Sequence, residues 1–168
     1  MWPSAIGLSE FIEANSQFVR GKSIIELGCG LGLPGIVAAL CGGNVILTDY
    51  LQDALNFAAY NWKLNINSDA DIRLLDWRSP EKFNKADVIL ASDIAYETKA
   101  FVPLLKAFKY LLKKDGIILL SEPNRNFAKD FFASIKKSGY TLSEEIKKVV
   151  KDDIKYKISV YVLKSYIY

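Results

Sequence analysis

The chain has 168 residues, 51% of apolar type and 24% charged, and its 22 basic and 19 acidic side chains leave a net charge of +3. This is one domain's length at an ordinary globular composition, which excludes a disordered chain, a fibre and a strongly cationic nucleic-acid binder. Histidine is absent and cysteine occurs only as Cys29 and Cys41, so histidine-dependent nucleophilic triads, histidine-ligated metals and a disulfide framework are excluded as well.

A short amphipathic helix is expected over 4–19. Apolar runs rich in Ile, Val and Leu follow at 23–27, 44–48, 71–75, 87–92 and 116–121, the pattern of parallel strands buried on both faces. Between them, 34–41 reads as a helix with Pro34 in its first turn. Residues 51–64 carry Leu51, Leu55, Ala58, Ala59 and Trp62 on one stripe, and 98–112 do the same with Phe101, Leu104, Leu105, Phe108, Leu111 and Leu112. A helix over 126–137 ends near Gly139, a C-cap residue. Alternation of Tyr156, Ile158, Val160 and Val162 makes 140–150 and 154–163 an antiparallel hairpin.

Together these elements, five βα units followed by the hairpin, predict one α/β domain over 1–168. It is a three-layer, Rossmann-like, doubly wound sheet of seven strands, mostly parallel, with a C-terminal antiparallel hairpin. No apolar run reaches the roughly 18 residues of a membrane span. Nothing at the N-terminus reads as a leader, so the expected setting is cytoplasmic. Nine lysines against five acids between Lys129 and Lys164 make the last part of the chain basic. That run suits either a solvated face or a surface for an acidic macromolecular partner.

Ligands of such sheets bind beyond the carboxyl ends of the strands. The first strand ends in Glu26-Leu27-Gly28-Cys29-Gly30-Leu31-Gly32-Leu33-Pro34-Gly35. Alternating glycines admit a ligand close to the backbone, and the next helix offers free N–H groups. A dinucleotide fingerprint fits Gly30, Gly32 and Gly35 literally, but it starts two residues late and leaves Asp49 only 14 residues beyond Gly35. The frame acid-x-Gly-x-Gly-x-Gly from Glu26 starts inside the strand and fits the spacing to Asp49 better. Cys29 reads as a small apolar residue.

This second frame, the strand count and the terminal hairpin resemble the class I S-adenosylmethionine-dependent methyltransferases. The fourth strand ends Asp93-Ile94-Ala95-Tyr96, where an adenine-N6 or glutamine-amide enzyme of that superfamily would show Asn/Asp-Pro-Pro-Tyr. Asp-x-x-Tyr is similar to a group of protein-lysine methyltransferases. Trp2-Pro3, Gly32-Leu33-Pro34-Gly35-Ile36, Asn61, Leu75-Asp76-Trp77 and Glu122-Pro123-Asn124-Arg125 match that group across most of the chain. The last departs from the group's Asp-Pro-Gly-Arg, which leaves Arg125 either a site residue or a salt-bridge partner at a helix start.

The resemblance implies S-adenosyl-L-methionine as cofactor, S-adenosyl-L-homocysteine as product, and no metal. Trp2, Glu26, Gly28, Gly30, Gly32, Asp49, Asp76, Trp77 and Ser92 are the implied cofactor residues, and Asp93 and Tyr96 are the implied catalytic pair facing the acceptor. Asp49 would accept ribose hydroxyls or cap the following helix. Asp76 and Trp77 would take the adenine's amine and ring face. Trp2 would serve as a lid or a core plug. The implied substrate is a protein lysine. A small-molecule amine, or a catalytically silent cofactor-binding role, is the alternative, and neither a nucleic-acid substrate nor a membrane partner is expected.

Overall fold

The computed structural model describes residues 2–80, 83–95, 97–123 and 128–166. Helix α1 (Pro3–Ala14) and a 3-10 turn (Ser16–Phe18) precede β1 (Ser23–Leu27). There follow α2 (Leu33–Leu40), β2 (Asn44–Asp49), α3 (Gln52–Ile66), β3 (Asp71–Leu74) and β4 (Ala86–Ser92). A 3-10 turn (Thr98–Ala100) leads into α4 (Phe101–Leu111), then β5 (Leu112–Glu122), α5 (Ala128–Lys137), β6 (Tyr140–Lys151) and β7 (Ile154–Ser165). The seven strands form one sheet in the order β3-β2-β1-β4-β5-β7-β6. Strands β1–β5 run parallel, and β7 and β6 are antiparallel to their neighbours. This is the seven-stranded, doubly wound arrangement the sequence predicts.

Local chemistry accounts for the boundaries. Trp2, extended at φ −83°, ψ 141°, hands the chain to Pro3 at the start of α1, where the missing N–H costs no hydrogen bond. Asn67 closes α3 in the left-handed conformation. At the hairpin, Asp152 and Asp153 both have positive φ, the requirement of a tight two-residue turn with the twist of the flanking strands.

Helices α1, α2 and α3 cover one face of the sheet, with Leu8, Ile12, Ile36, Leu47 and Leu90 in that core. Helices α4 and α5 cover the other, around Leu27, Ile89, Phe108, Leu120 and Phe131. Among the described residues no helix is long and apolar enough to cross a membrane.

Four expectations change. Helix α1 stops at Ala14, and seven of its residues are buried, Ser4, Gly7 and Ser9 among them. It is wedged against α2 and the terminal hairpin and so has no wide polar face. Strand β3 is an edge strand that leaves Asp71, Arg73 and Leu74 exposed; an edge strand has a neighbour on one side only and reads less apolar than its position in the alternation suggests. The β3–β4 crossover carries no helix among the described residues. Leu112 belongs to β5, where it pairs with Ala86 before a register shift. Residues 126 and 127, expected to begin α5, lie outside the described residues.

The lower end of the sheet is clamped by Asp87. Its carboxylate accepts the Ser23 N–H at 2.9 Å, the Ser23 hydroxyl at 2.6 Å and the Lys113 ammonium at 3.0 Å, tying the starts of β1, β4 and β5 together. The Ser23 hydroxyl foremost, opposed by partial burial and aided by the Ser23 N–H and Lys113, holds this carboxyl down at about 2. Its contribution is present above the ordinary carboxylate range and fades as pH falls toward 2. Asp87→Ala is expected to lower unfolding free energy by about 1–3 kcal/mol at pH 7, with the deficit shrinking below pH 3; denaturant titrations at both pH values check this.

Candidate functional site

Strand order reverses between β1 and β4, and the crevice at such a switch point is where ligands bind in open α/β sheets. There the structure has a cleft of about 650 Å³ lined by the β1 loop (Gly28, Cys29, Gly30, Leu31), the β2 end (Asp49–Leu51), the first turns of α3 and the β4 end (Ser92, Asp93, Ile94), with Trp2 and Trp77 closing it.

The glycine loop owes its shape to two carboxylates. Asp49, 6% exposed, accepts the Gly30 N–H on one oxygen and the Leu51 N–H on the other, each at 3.0 Å. The end of β2 thus holds the β1 loop and the entry to α3 at once. Glu26, fully buried, accepts the Gly35 N–H at 2.9 Å and stands beneath the loop. Gly30 has φ +54°, and a Cβ built there meets nothing within 4 Å, so this backbone faces open cleft. At Gly35 a Cβ would come within 2.3 Å of Leu47 and 2.5 Å of Glu26; only glycine lets α2 sit down on the sheet. On the outer side, the Asn61 amide donates to the Leu31 carbonyl at 3.0 Å, so α3 also holds the loop.

At the β4 end, Asp93 has φ +55°, a region unusual for a non-glycine residue and one that aspartate tolerates. Its N–H donates to the Ser121 carbonyl at 3.0 Å, which fixes the left-handed turn and sets Asp93 on the cleft wall. Beside it Ile94 is buried and Trp77 half-buried.

Of the residues expected at the site, Trp2, Gly28, Gly30, Asp49, Trp77, Ser92 and Asp93 line the cleft. Glu26 and Gly32 stand behind it: Glu26 faces α2, and a Cβ on Gly32 would touch Ala58 and Leu47 at 3.2 Å. Asp76 is turned away onto Arg78, whose guanidinium meets both its oxygens at 2.5–2.8 Å. The Arg78 hydrogen bond dominates the lowering of the Asp76 carboxyl below its usual range. Tyr96 and Arg125 lie outside the described residues. Leu51, read as part of the buried stripe of α3, is 51% exposed and lines the cleft, because its N–H is spent on Asp49 and the helix begins one residue later.

Sequence reasoning missed the first turns of α3, where Asp53, Ala54 and Phe57 also line the cleft. Phe57, 61% exposed, was available as a signal: an aromatic placed off the helix's buried stripe. Among the described residues the cleft lining therefore carries the carboxylates of Asp49, Asp53 and Asp93 and no lysine or arginine, which favours a cationic ligand.

Cys29 is buried against this acidic floor, and burial first, then Glu26 and Asp49, push its thiol well above the ordinary range. It is no nucleophile. Burial likewise pushes the Glu26 carboxyl up to about 8, opposed by the Gly35 N–H and reinforced by Asp49. Its second oxygen, Oε1, is buried without a hydrogen-bond partner, as suits a protonated acid.

The sequence model of a family described as lysine methyltransferase matches residues 1–138. The protein N-lysine methyltransferase METTL21A of Xenopus tropicalis is 36% identical over 150 residues, covering 86% of this chain and 69% of the relative. The histone-arginine methyltransferase METTL23 of Homo sapiens is 31% identical over 126 residues, 71% of this chain and 66% of its own length. Among solved structures, magnesium protoporphyrin IX methyltransferase of Synechocystis PCC 6803 with bound SAM superposes with a TM-score of 0.74 at 15% identity, covering 96% of this chain and 78% of that one. That likeness is one of fold.

A carboxyl raised from 4.5 to about 8 in the fold stabilises the native state most below pH 4.5, and that stability is lost as pH rises through 8, at about 1.4 kcal/mol per pH unit. Glu26→Gln copies the protonated form. Denaturant titrations of the ligand-free protein at pH 5.5 and 8.5 are expected to show the variant gaining at least about 1 kcal/mol on the parent at the higher pH; parallel behaviour would mean that Glu26 is ionised throughout.

Proposed function

Since the chain belongs to the lysine methyltransferase family of S-adenosylmethionine-dependent enzymes, we propose that residues 1–168 form one catalytic domain that methylates the side-chain nitrogen of a lysine in a protein substrate. The observation that carries this reading is the placement of Asp93 on the wall of the cleft that the glycine loop floors, beside apolar Ile94 and Trp77.

The residues present suit the cofactor. A net-cationic sulfonium compound matches a lining with three carboxylates and, among the described residues, no basic side chain. Gly30 leaves space at the backbone, and the aromatic rings of Trp2 and Trp77 line the cleft. Trp2, Gly28, Gly30, Asp49, Trp77 and Ser92 are assigned to holding it, with Glu26 and Gly32 supporting the loop from behind. Bound there, S-adenosylmethionine supplies an electrophilic methyl group on a sulfonium sulfur.

The chain's own part is chiefly positioning, which in favourable intramolecular cases is worth up to roughly 7–11 kcal/mol. A lysine amine has an unperturbed pKa near 10.4 and reacts only when neutral. Ile94 and Trp77 exclude water from the slot, and desolvation favours the neutral amine. Asp93 accepts one N–H of that amine and so aims its lone pair into the cleft. Its charge would by itself favour the ammonium form, so its role is orientation, not deprotonation. Tyr96 is assigned to the slot by its motif.

The test is a labelled-methyl assay with purified protein, radiolabelled S-adenosylmethionine and lysate from a strain lacking the gene. A discrete labelled protein that yields methyl-lysine on hydrolysis is expected. Methyl-arginine, or label confined to small molecules, would overturn the lysine assignment. Asp93→Gly, which keeps the positive φ and removes the carboxylate, is expected to cut incorporation at least 100-fold while leaving S-adenosylhomocysteine affinity within about threefold. Equal loss of both would contradict the division of roles.

A further inference from the structure

Register sets the hairpin apart from the rest of the sheet. Strand β5 ends at Glu122, opposite Ser159 of β7, while β6 and β7 stay paired from Ile146↔Ser159 out to Lys151↔Ile154. Five residue pairs therefore project beyond β5, about 16 Å at 3.3 Å per residue. They rise from the end of the sheet that carries the cleft. Ser92, Ser121 and Val160 lie in register across β4, β5 and β7, so the root of the projection stands two strand spacings, about 10 Å, from the β4 end.

The two faces of this projection differ. On one, Val149 and Ile158 are buried, Ile158 touches Gly7 of α1, and Lys147 lies over the Phe11 ring. The other carries Lys148 paired with Lys157 and Val150 paired with Lys155, with Ile146 at its root. All five side chains are exposed, Ile146 by 58% and Val150 by 62%. None of these pairs contains an acid. Glu144, the nearest acid along β6 on this face, accepts a hydrogen bond from the Tyr161 hydroxyl at 3.0 Å. Lysines alone guard an edge strand against mispairing, but guarding does not call for β-branched apolar residues between them.

We propose that this face docks the methyl-acceptor protein through an acidic, partly apolar surface flanking the target lysine; the inference rests on the protein-lysine reading above. Charge complementarity identifies the occupant. The acidic cleft draws in the lysine, and the basic projection beside it takes the acids of the same protein surface. Apolar Ile146 and Val150 favour a protein over a single-stranded nucleic acid, which needs free stacking platforms, since Tyr161 at the base of this face is packed on Phe132 and bonded to Glu144.

The triple variant Lys148→Glu/Lys155→Glu/Lys157→Glu tests this, assayed on the purified protein that the parent enzyme labels. KM for that protein is expected to rise at least tenfold with kcat within twofold, S-adenosylhomocysteine affinity is expected to be unchanged, and most of the salt sensitivity of the parent's kcat/KM should vanish. Ile146→Ser/Val150→Ser is expected to raise KM without changing the salt response. Unchanged KM in both variants, each folded by circular dichroism, would overturn the docking face while leaving the lysine activity standing. Labelling only of small molecules by the parent would fail the functional reading instead. Loss of oligonucleotide binding in the triple variant, with protein methylation intact, would assign the face to nucleic acid and refute the proposal.

Discussion

The Asp49 carboxylate is the joint on which the site depends. One oxygen takes the Gly30 N–H and the other the Leu51 N–H, so a single buried acid fixes the loop after β1 and the approach to α3. Both carry backbone that lines the cleft. Charged acceptors make stronger hydrogen bonds than neutral ones, and here the charge also stays at the floor of the site. Without that tie the glycines, all in left-handed conformations at Gly28, Gly30 and Gly32, would have nothing to select one loop shape from many. Glu26, bonded to the Gly35 N–H under the same loop, holds the other side of the turn, while burial favours its protonated form.

Charge is distributed along the upper end of the sheet in two blocks. Asp49, Asp53 and Asp93 face the cleft, while Lys148, Lys155 and Lys157 stand on the hairpin that projects beyond β5 to one side of it. A net charge of +3 conceals this division. The acidic block suits a sulfonium and an incoming amine, and Ile94 and Trp77 add apolar surface to the same cleft.

Much of this was legible in the sequence, where local chemistry dictated it. Pro34 and Gly139 marked helix ends, the Ile/Val/Leu runs marked the central strands, and the acid-x-Gly-x-Gly-x-Gly frame located the loop. What was not legible depended on neighbours in space. Glu26 and Gly30 belong to one motif, yet Glu26 faces α2 and Gly30 the cleft, because β1 is buried on both faces while the loop beyond it exposes backbone. Asp76 looked free to meet a ligand, but Arg78, two residues on, occupies both its oxygens. Leu51 fitted the helical stripe until Asp49 took its N–H. The overhang of the hairpin is a fact of register, since the alternation of Tyr156 to Val162 gives a strand's faces and not where its neighbour stops.

The central claim is that the glycine loop at the β1–β4 switch point receives the cofactor, with Gly30 facing it. Titration calorimetry of S-adenosylhomocysteine against the parent and Gly30→Ala, both folded by circular dichroism, tests it most directly. The account predicts measurable binding to the parent and at least a tenfold weaker affinity in the variant, whose added methyl projects into the space at Gly30. Equal affinity in the two proteins would place the ligand elsewhere and contradict the account.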